Sequence, residues 1–306
     1  MNRIIANKNR RIRYDTGTQW FFVFGYCLIG LVTLLCLLPF WLMISGSFTD
    51  EQAISKYGFN IIPPEFSLSA YEYIFKESWR PFLQAYIVTI GTTVIGTFVA
   101  VLFTSMAAYV LYRTDFRYRN AFAFYFYFTT LFSGGLIPWY ILIVNFLGLK
   151  DQYAVLVVPM LLSSWEILLM RNFMKSIPDA VVESAKIDGA NEFTIFARLV
   201  MPLSIAAIAT IMLTKGLAYW NSWFLANLFV TSQKMYPLQF FLYRLLANTQ
   251  FLHSSAGASV VAYMGPPPSE SLKMATAVVV TGPIILLYPL LQRYFIKGII
   301  IGAVKG

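Results

Sequence analysis

Residues 82–112 read FLQAYIVTIGTTVIGTFVAVLFTSMAAYVLY, thirty-one positions without an Asp, Glu, Lys or Arg. A bilayer's hydrocarbon core of ~30 Å takes ~20 helical residues, so this stretch is long enough to cross and has no charge to hold it in water. It ends at Arg113, Arg117 and Arg119, offset only by Asp115. Basic residues gather at the cytoplasmic ends of spans, so the Tyr112 end is expected inside the cell.

The rest of the chain has the same character. Of its 306 residues 58% are apolar and 17% aromatic, and the 12% that are charged fall far below the ~25% of a soluble domain. One integral membrane domain follows, with no room for a sizeable soluble one. Before 82–112, residues 1–19 carry Arg3, Lys8, Arg10, Arg11 and Arg13 against Asp15, and an apolar run covers 20–45. That run exceeds the ~7–15 residues of a signal-peptide core, so it is expected to be a retained first helix with its basic end inside. The polar segment 48–80 holds five acids and three bases, with Pro63 and Pro64 breaking any helix, and belongs outside. After 112, runs over 121–146 and 154–170 are joined by a short outer turn at Gly148, Lys150 and Asp151, and Arg171 and Lys175 mark the inside again. Further runs cover 202–230 and 274–295, separated by an outer segment, 231–273, with a Gly265-Pro266-Pro267-Pro268 turn. In that segment Lys234, Arg244 and Lys273 outnumber Glu270, against the usual charge bias. The tail, with Arg293, Lys297 and Lys305, returns inside.

The expected fold is therefore an all-α integral membrane protein of six transmembrane helices with both termini cytoplasmic. A basic segment, 1–19, precedes a single transmembrane domain, 20–306, whose cytoplasmic segment is 172–201. The net charge of +9 reads as a topology signal rather than a nucleic-acid one. Cys27 and Cys36 lie nine positions apart in one apolar run, ~13 Å along a helix, too far to bridge. With those two cysteines and the single His253, no zinc site of the usual ligands can be built. His253 reads as a solvated side chain or a contact to a binding protein.

The informative polar stretch is 176–202, SIPDAVVESAKIDGANEFTIFARLVMP. Ser176 can cap a short helix, Pro178 suits its opening turn, and Gly189 supplies the permissive backbone at its end. Asp188 or Asn191 can start a second helix, with Phe193, Phe196 and Val200 at helical spacing on one face.

This stretch resembles the permease subunits of bacterial ABC importers. Their cytoplasmic signature is Glu-Ala-Ala, three residues, Gly, nine residues, Ile, one residue, Leu-Pro. Here Glu183-Ser184-Ala185, Gly189, Leu199, Met201 and Pro202 hold every interval with three conservative changes. The run Ala185-Lys186-Ile187-Asp188-Gly189-Ala190 is similar to the carbohydrate-importing branch, that of maltose-type importers, as are Trp220-Asn221, Lys297-Gly298 and the terminal Gly302-Ala303-Val304-Lys305-Gly306. The resemblance runs from about the second span to the last residue and implies the type I importer architecture in a bacterial cytoplasmic membrane. It implies a coupling helix at about 178–189 seated in a cleft of a cytoplasmic ATPase. There Glu183 is the charged contact, Ser184 and Ala185 allow close approach, Gly189 permits the turn, and Asp188 and Pro202 belong to the same joint. It also implies two ATPase copies holding ATP and magnesium, an extracytoplasmic solute-binding protein, and a second permease, for which the resemblance favours a non-identical chain. The substrate implied is a carbohydrate, in particular an oligosaccharide. No cofactor is expected on this chain, and no Walker-type Gly-x-x-x-x-Gly-Lys-[Ser/Thr] occurs in it, so it is not expected to be an enzyme.

Two charges, Glu166 and Lys215, fall inside spans, where an unpaired charge costs ~2.5–3.5 kcal/mol. Counted from the cytoplasmic ends their heights differ by roughly 9–12 Å, which leaves two readings open: a structural ion pair, or side chains facing the translocation cavity or the partner permease. Trp220, Asn221 and Trp223 lie deep in the fifth span and read as pathway residues able to stack on sugar rings. Tyr125, Tyr127, Trp139, Tyr140 and Tyr219 read as packing or interfacial aromatics. A permease for another solute class is an alternative. A secondary transporter would show repeats and coupling carboxylates, and a membrane-embedded enzyme clustered His or acids; the sequence has neither.

Overall fold

The computed structural model describes residues 15–76, 79–252 and 270–285. The basic residues before Asp15, His253, the triple-proline turn and the tail from 286 on lie outside the described residues.

The chain is helical, and the described residues contain no strand beyond a lone antiparallel bridge between Thr49 and Phe66. Helix α1, Thr16–Ser47, carries Pro39 within it. The side chains along most of its length are bare in this chain, and it joins the bundle at its last turn. There the Ser45 hydroxyl donates to the Asn60 carbonyl at 2.6 Å, and Ser47 and Tyr71 share a hydrogen bond of 2.9 Å. The polar segment folds as α2, Glu51–Tyr57, and α3, Ser69–Lys76. Asp50 caps α2 through the Gln52 N–H, and Gly58, at φ 71°, ends it. The prolines therefore break the helix only locally, between 58 and 68.

Helix α4, Trp79–Tyr112, is the predicted 82–112 span and the centre of the fold. One face presents Thr89, Gly96, Ala100, Thr104 and Ala108, small side chains that let neighbours approach closely. The tightest approach is at Gly96, where a Cβ would lie 2.6–2.8 Å from the Tyr219 ring.

Three further spans are bent. Helix α5, Arg119–Leu131, breaks at 132–135, where Gly135 takes φ 84°, and turns by 115° into α6, Leu136–Ile141, continued as the π turn Leu142–Phe146. The 3-10 turns of Tyr153–Met160 meet α7, Ser164–Met174, at 50°. Helix α8, Asp179–Ile187, leads into α9, Glu192–Leu203, which bends by 80° at Ser204 into α10, Ile205–Trp220. Two straight helices and three bent pairs thus give up to five crossings among the described residues. The sixth expected run is described only as far as 285.

The fifth run, 202–230, departs from a continuous helix. It stops at Trp220, where the Asn221 N–H and side-chain amide both turn back to the Leu217 carbonyl, and resumes as α11, Phe224–Phe229. The expected outer loop also holds a helix, α12, Leu238–Leu252. Its Leu238, Phe241 and Leu242 pack with Phe82, Ala85 and Trp220 against a helix at 270–285. Glu51 caps that last helix, accepting from the Glu270 and Ser271 N–H groups at 3.0 Å.

Candidate functional site: the segment 176–202

Helix α8 begins at Pro178, whose extended backbone (φ −60°, ψ 132°) occupies the capping position, with Asp179 in the first turn facing the positive end of the helix dipole. Ser176, predicted to cap α8, instead donates to the Phe173 carbonyl at 2.7 Å and closes α7. The fixed φ of Pro178 starts the helix two residues too late for Ser176 to reach it.

The other end is a Schellman motif. The Ala190 N–H reaches back to the Ala185 carbonyl at 2.9 Å, the Gly189 N–H reaches the Lys186 carbonyl at 3.0 Å, and Gly189 takes φ 82°. Glycine is needed here because side chains resist that left-handed backbone. Asn191 then starts α9, its side-chain oxygen accepting from the Thr194 N–H at 2.8 Å, while Asp188 is the C-cap of α8.

Helix α8 turns Val182 and Ala185 into the core with Met170, Met174 and Tyr109. Glu183, Ser184 and Ile187 face outward, Ile187 being 86% exposed. The two small residues therefore differ: Ser184 lies on the bare face, whereas the size of Ala185 serves packing within this chain. In α9, Phe196 and Val200 are buried, but Phe193, expected on the same face, is 72% exposed. Residues Ile195–Val200 form a π turn, and its wider i→i+5 bonding brings Ile195 inward beside Phe196 and breaks the helical register that would have included Phe193. Pro202 is exposed two residues before the Ser204 bend.

A closed ring of four charges fastens the segment to the Tyr112 end of α4. Asp115 Oδ2 lies 2.6 Å from Arg113 Nη2 and 2.8 Å from Lys186 Nζ, and Glu192 Oε1 lies 3.2 and 3.1 Å from the same two nitrogens. Tyr109 donates to the other Glu192 oxygen at 2.6 Å. The ring joins the last turn of α4, the loop after it, the end of α8 and the start of α9. Hydrogen bonds from Lys186 and Arg113 hold the Asp115 carboxyl well below its usual range, at about 2. The Tyr109 hydroxyl, followed by Lys186 and Arg113, lowers Glu192, and Asp115 and Glu192 raise Lys186. Nearby, Arg171 Nε donates to the Leu111 carbonyl at 3.0 Å. The sequence offers local signals for this ring, Tyr109 in the last turn of α4 with Arg113 four residues on and Asp115 two beyond that, but Lys186 and Glu192 are seventy or more residues away.

Within the spans, Glu166 and Lys215 are paired. Lys215 Nζ lies 3.0 Å from Glu166 Oε2, both side chains are at most 8% exposed, and Thr214 donates to Glu166 Oε1 at 3.3 Å. The height difference inferred from sequence was too large. Helix α7 continues past Arg171 to Met174, which puts Glu166 eight residues from its end, and Lys215 is ten from the start of α10. Lysine's long stem covers the remaining offset. Lys215 also donates to the Met160 carbonyl at 2.6 Å, and Tyr219, one turn on, to the Val157 carbonyl at 2.9 Å. The Met160 carbonyl, at the broken entry to α7, thus receives its donor from α10, whereas the Val157 carbonyl also accepts from the Met160 N–H at 3.2 Å.

The three candidate pathway residues separate. Trp220 is 5% exposed with its indole N–H directed to the Val280 carbonyl at 3.4 Å, so it packs inside the chain rather than lining an open surface. Asn221 is exposed and accepts from Gln239 at 3.1 Å. Trp223 is partly exposed and stacks on Tyr243 with ring centres 4.4 Å apart. Among the described residues no three His, Cys, Asp or Glu side chains gather into a metal site.

A bent-helix bundle with a short helix pair ending in this motif is the architecture of one transport family. Residues 100–301 match the family described as binding-protein-dependent transport system inner membrane component. The chain belongs to that family and is a permease subunit of an ABC importer. It is 40% identical, over 93% of its length and 97% of the relative's, to the polygalacturonan/rhamnogalacturonan transport system permease protein YtcP of Bacillus subtilis. It is 26% identical, over 94% and 97% of the two chains, to the arabinooligosaccharides transport system permease protein AraQ of Halalkalibacterium halodurans. A crystal structure of a bacterial ABC transporter that imports the acidic polysaccharide alginate contains a chain similar at a TM-score of 0.80 and 29% identity, covering 92% of this chain and 99% of that one.

Proposed function

We propose that this chain carries a carbohydrate, in the form of an oligosaccharide, across a bacterial cytoplasmic membrane, and that segment 176–202 is the joint through which a separate ATPase drives it. The carbohydrate reading is supported by the substrates of the similar proteins: polygalacturonan/rhamnogalacturonan, arabinooligosaccharides and alginate. The joint is supported by one observation, that α8 is fixed on its inner side and bare on its outer side. Val182 and Ala185 are packed and Lys186 is held in the charge ring, while Glu183, Ser184, Ile187 and Phe193 have no cover in this chain. A helix held this way transmits a push to α4, α7 and α10 instead of swivelling. Two apolar side chains beside one carboxylate suit a partly desolvated cleft in a partner.

In this reading the joint and both termini lie in the cytoplasm, and two ATPase copies bind the ATP and magnesium. A second, non-identical permease completes the pathway, and an extracytoplasmic binding protein delivers the sugar. Closure of the ATPases moves the coupling helices, and the bent spans shift between outward and inward openings. Ion-driven transport is disfavoured because Glu166, the one buried acid among the described residues, is already neutralised by Lys215.

The test is Glu183→Lys in the assembled transporter. Reversal of the Glu183 charge on the bare face is expected to abolish uptake and ATPase co-purification while leaving membrane insertion and binding-protein docking intact. Normal uptake and hydrolysis would show that this segment is not the joint.

A further inference from the structure

The outer segment carried an excess of basic residues that the topology rule does not explain. Lys273 of this group is paired with Glu270. From residue 193 onward Glu270 is the only Asp or Glu, and it is the one that Lys273 engages. Among the described residues Arg244 forms no ion pair. It stands on α12 with its guanidinium 5.6 Å from the centre of the Tyr236 ring and Nη1 donating to the Tyr236 hydroxyl at 3.2 Å. That hydroxyl is itself fixed, donating to the Thr231 carbonyl at 3.2 Å.

Tyr236 and Arg244 form a shared wall between two cavities, of about 450 and 320 Å³. The larger lies between α11 and α12. Asn227 and Thr231 supply polar groups on one side of it, and Phe240 and Tyr243 supply rings on the other. The rings are held by one another: Phe240 meets Tyr236 edge-on at 4.7 Å, and Tyr243 is stacked on Trp223 at 4.4 Å. Arginine's planar fork matches a carboxylate in two-pronged geometry. Aromatic faces suit the C–H faces of a sugar ring, and the cavities fall at the size of small-ligand sites.

We propose that Tyr236, Tyr243, Arg244 and Asn227 form a subsite for the carboxylate and ring of a uronic acid residue, so that the transported carbohydrate is an acidic one. This rests on the carbohydrate reading above and adds to it the charge of the substrate and the residue that reads it. Arg244 binds the carboxylate, Tyr236 holds the guanidinium in place, Tyr243 stacks the ring, and Asn227 meets its hydroxyls. The unexplained positive charge of the outer segment becomes an attraction for an anionic sugar.

The experiment measures equilibrium binding to the complete permease–ATPase complex in phosphatidylcholine nanodiscs, without the binding protein. Its two probes are trigalacturonate and the same trisaccharide with its carboxyl groups reduced to alcohols. The wild-type complex is expected to prefer the acid by roughly tenfold or more, as a charge-assisted bidentate contact implies. Arg244→Gln is expected to remove that preference without weakening the neutral sugar, and Arg244→Lys to keep part of it. Equal affinities in the wild type, no binding of either sugar, or a preference untouched by Arg244→Gln would overturn the subsite. So would a preference that disappears when phosphatidylglycerol is added, because Arg244 would then be a lipid-phosphate contact. Uptake of any oligosaccharide by the whole transporter would leave the carbohydrate reading standing in each of these cases. Failure of an intact, ATP-hydrolysing transporter to move any sugar would remove both.

Discussion

Replacing Lys215 by Met and Glu166 by Gln, singly and together, asks whether the buried pair is a latch between α7 and α10 or part of a pathway. Lys215→Met leaves Glu166 with only the Thr214 hydroxyl at 3.3 Å, and removing one partner of a buried pair typically destabilises by ~3–5 kcal/mol. Glu166→Gln strands a lysine whose remaining partner is the Met160 carbonyl at 2.6 Å, with a loss toward the lower end of that range. The double variant has no buried charge left. It retains one defect, the Met160 carbonyl without a donor, which costs ~1–3 kcal/mol. The double variant should therefore be more stable than Lys215→Met alone, with an interaction energy of at least ~2 kcal/mol, toward the top of the range for contacting residues. SDS-induced unfolding followed by far-UV circular dichroism is the suitable assay, because Cys27 and Cys36 are exposed in the folded chain and would react with a thiol dye from the start. Additivity within ~0.5 kcal/mol would refute the latch. Uptake separates the remaining question: a double variant that regains stability and transport is only a repaired latch, whereas one that regains stability without transport assigns one of the two charges to the sugar path.

Gly96→Ala should destabilise the bundle by ~1–3 kcal/mol, since the new methyl would lie 2.6 Å from a Tyr219 ring tethered by its hydroxyl to Val157; a thermal melt checks it, and an unchanged midpoint would mean that the crossing has slack. Gly189→Val should lower uptake with little effect on the melting of the bundle, because the added side chain meets open space and only the φ of 82° is strained; comparing uptake with thermal midpoint tests this. Asp115 is held at about 2 by Lys186 and Arg113, below its unfolded value of ~3.9. Its stabilisation is thus complete above about pH 4 and lost as pH falls toward 2. The melting difference between wild type and Asp115→Asn should be small, ~0.2–1 kcal/mol for so exposed a pair, and should shrink over that window.

The sequence was most legible where a single chemical property decides the outcome. Apolar length located α1 and α4, and the left-handed turn at Gly189 followed from glycine in a helix-stop pattern. It was least legible where partners are distant or the helix is irregular. Arg113 and Asp115 read only as a topology signal because Lys186 and Glu192, which complete their ring, are seventy or more positions away. The 3.6-residue spacing puts Phe193 on one face with Phe196 and Val200, a register that the π turn at Ile195–Val200 breaks. The heights of Glu166 and Lys215 differ less than the sequence implies because the helix runs three residues past Arg171, the first charge after the apolar run.

Where a span is broken, backbone groups can lose their helical partners, and in hydrocarbon no water replaces them. The chain meets the 161–163 break with side chains from another helix, Lys215 and Tyr219 of α10 on the Met160 and Val157 carbonyls. The segment proposed as the joint is, in turn, fixed by charges, and the ring of Arg113, Asp115, Lys186 and Glu192 remains in contact with water. The two fastenings differ in what they tolerate. A buried pair resists the loss of either partner, while an exposed ring of four can lose and remake contacts at little cost. In the proposed coupling, such a ring suits the end that is pushed, and a buried latch suits the helices that carry the push as one body.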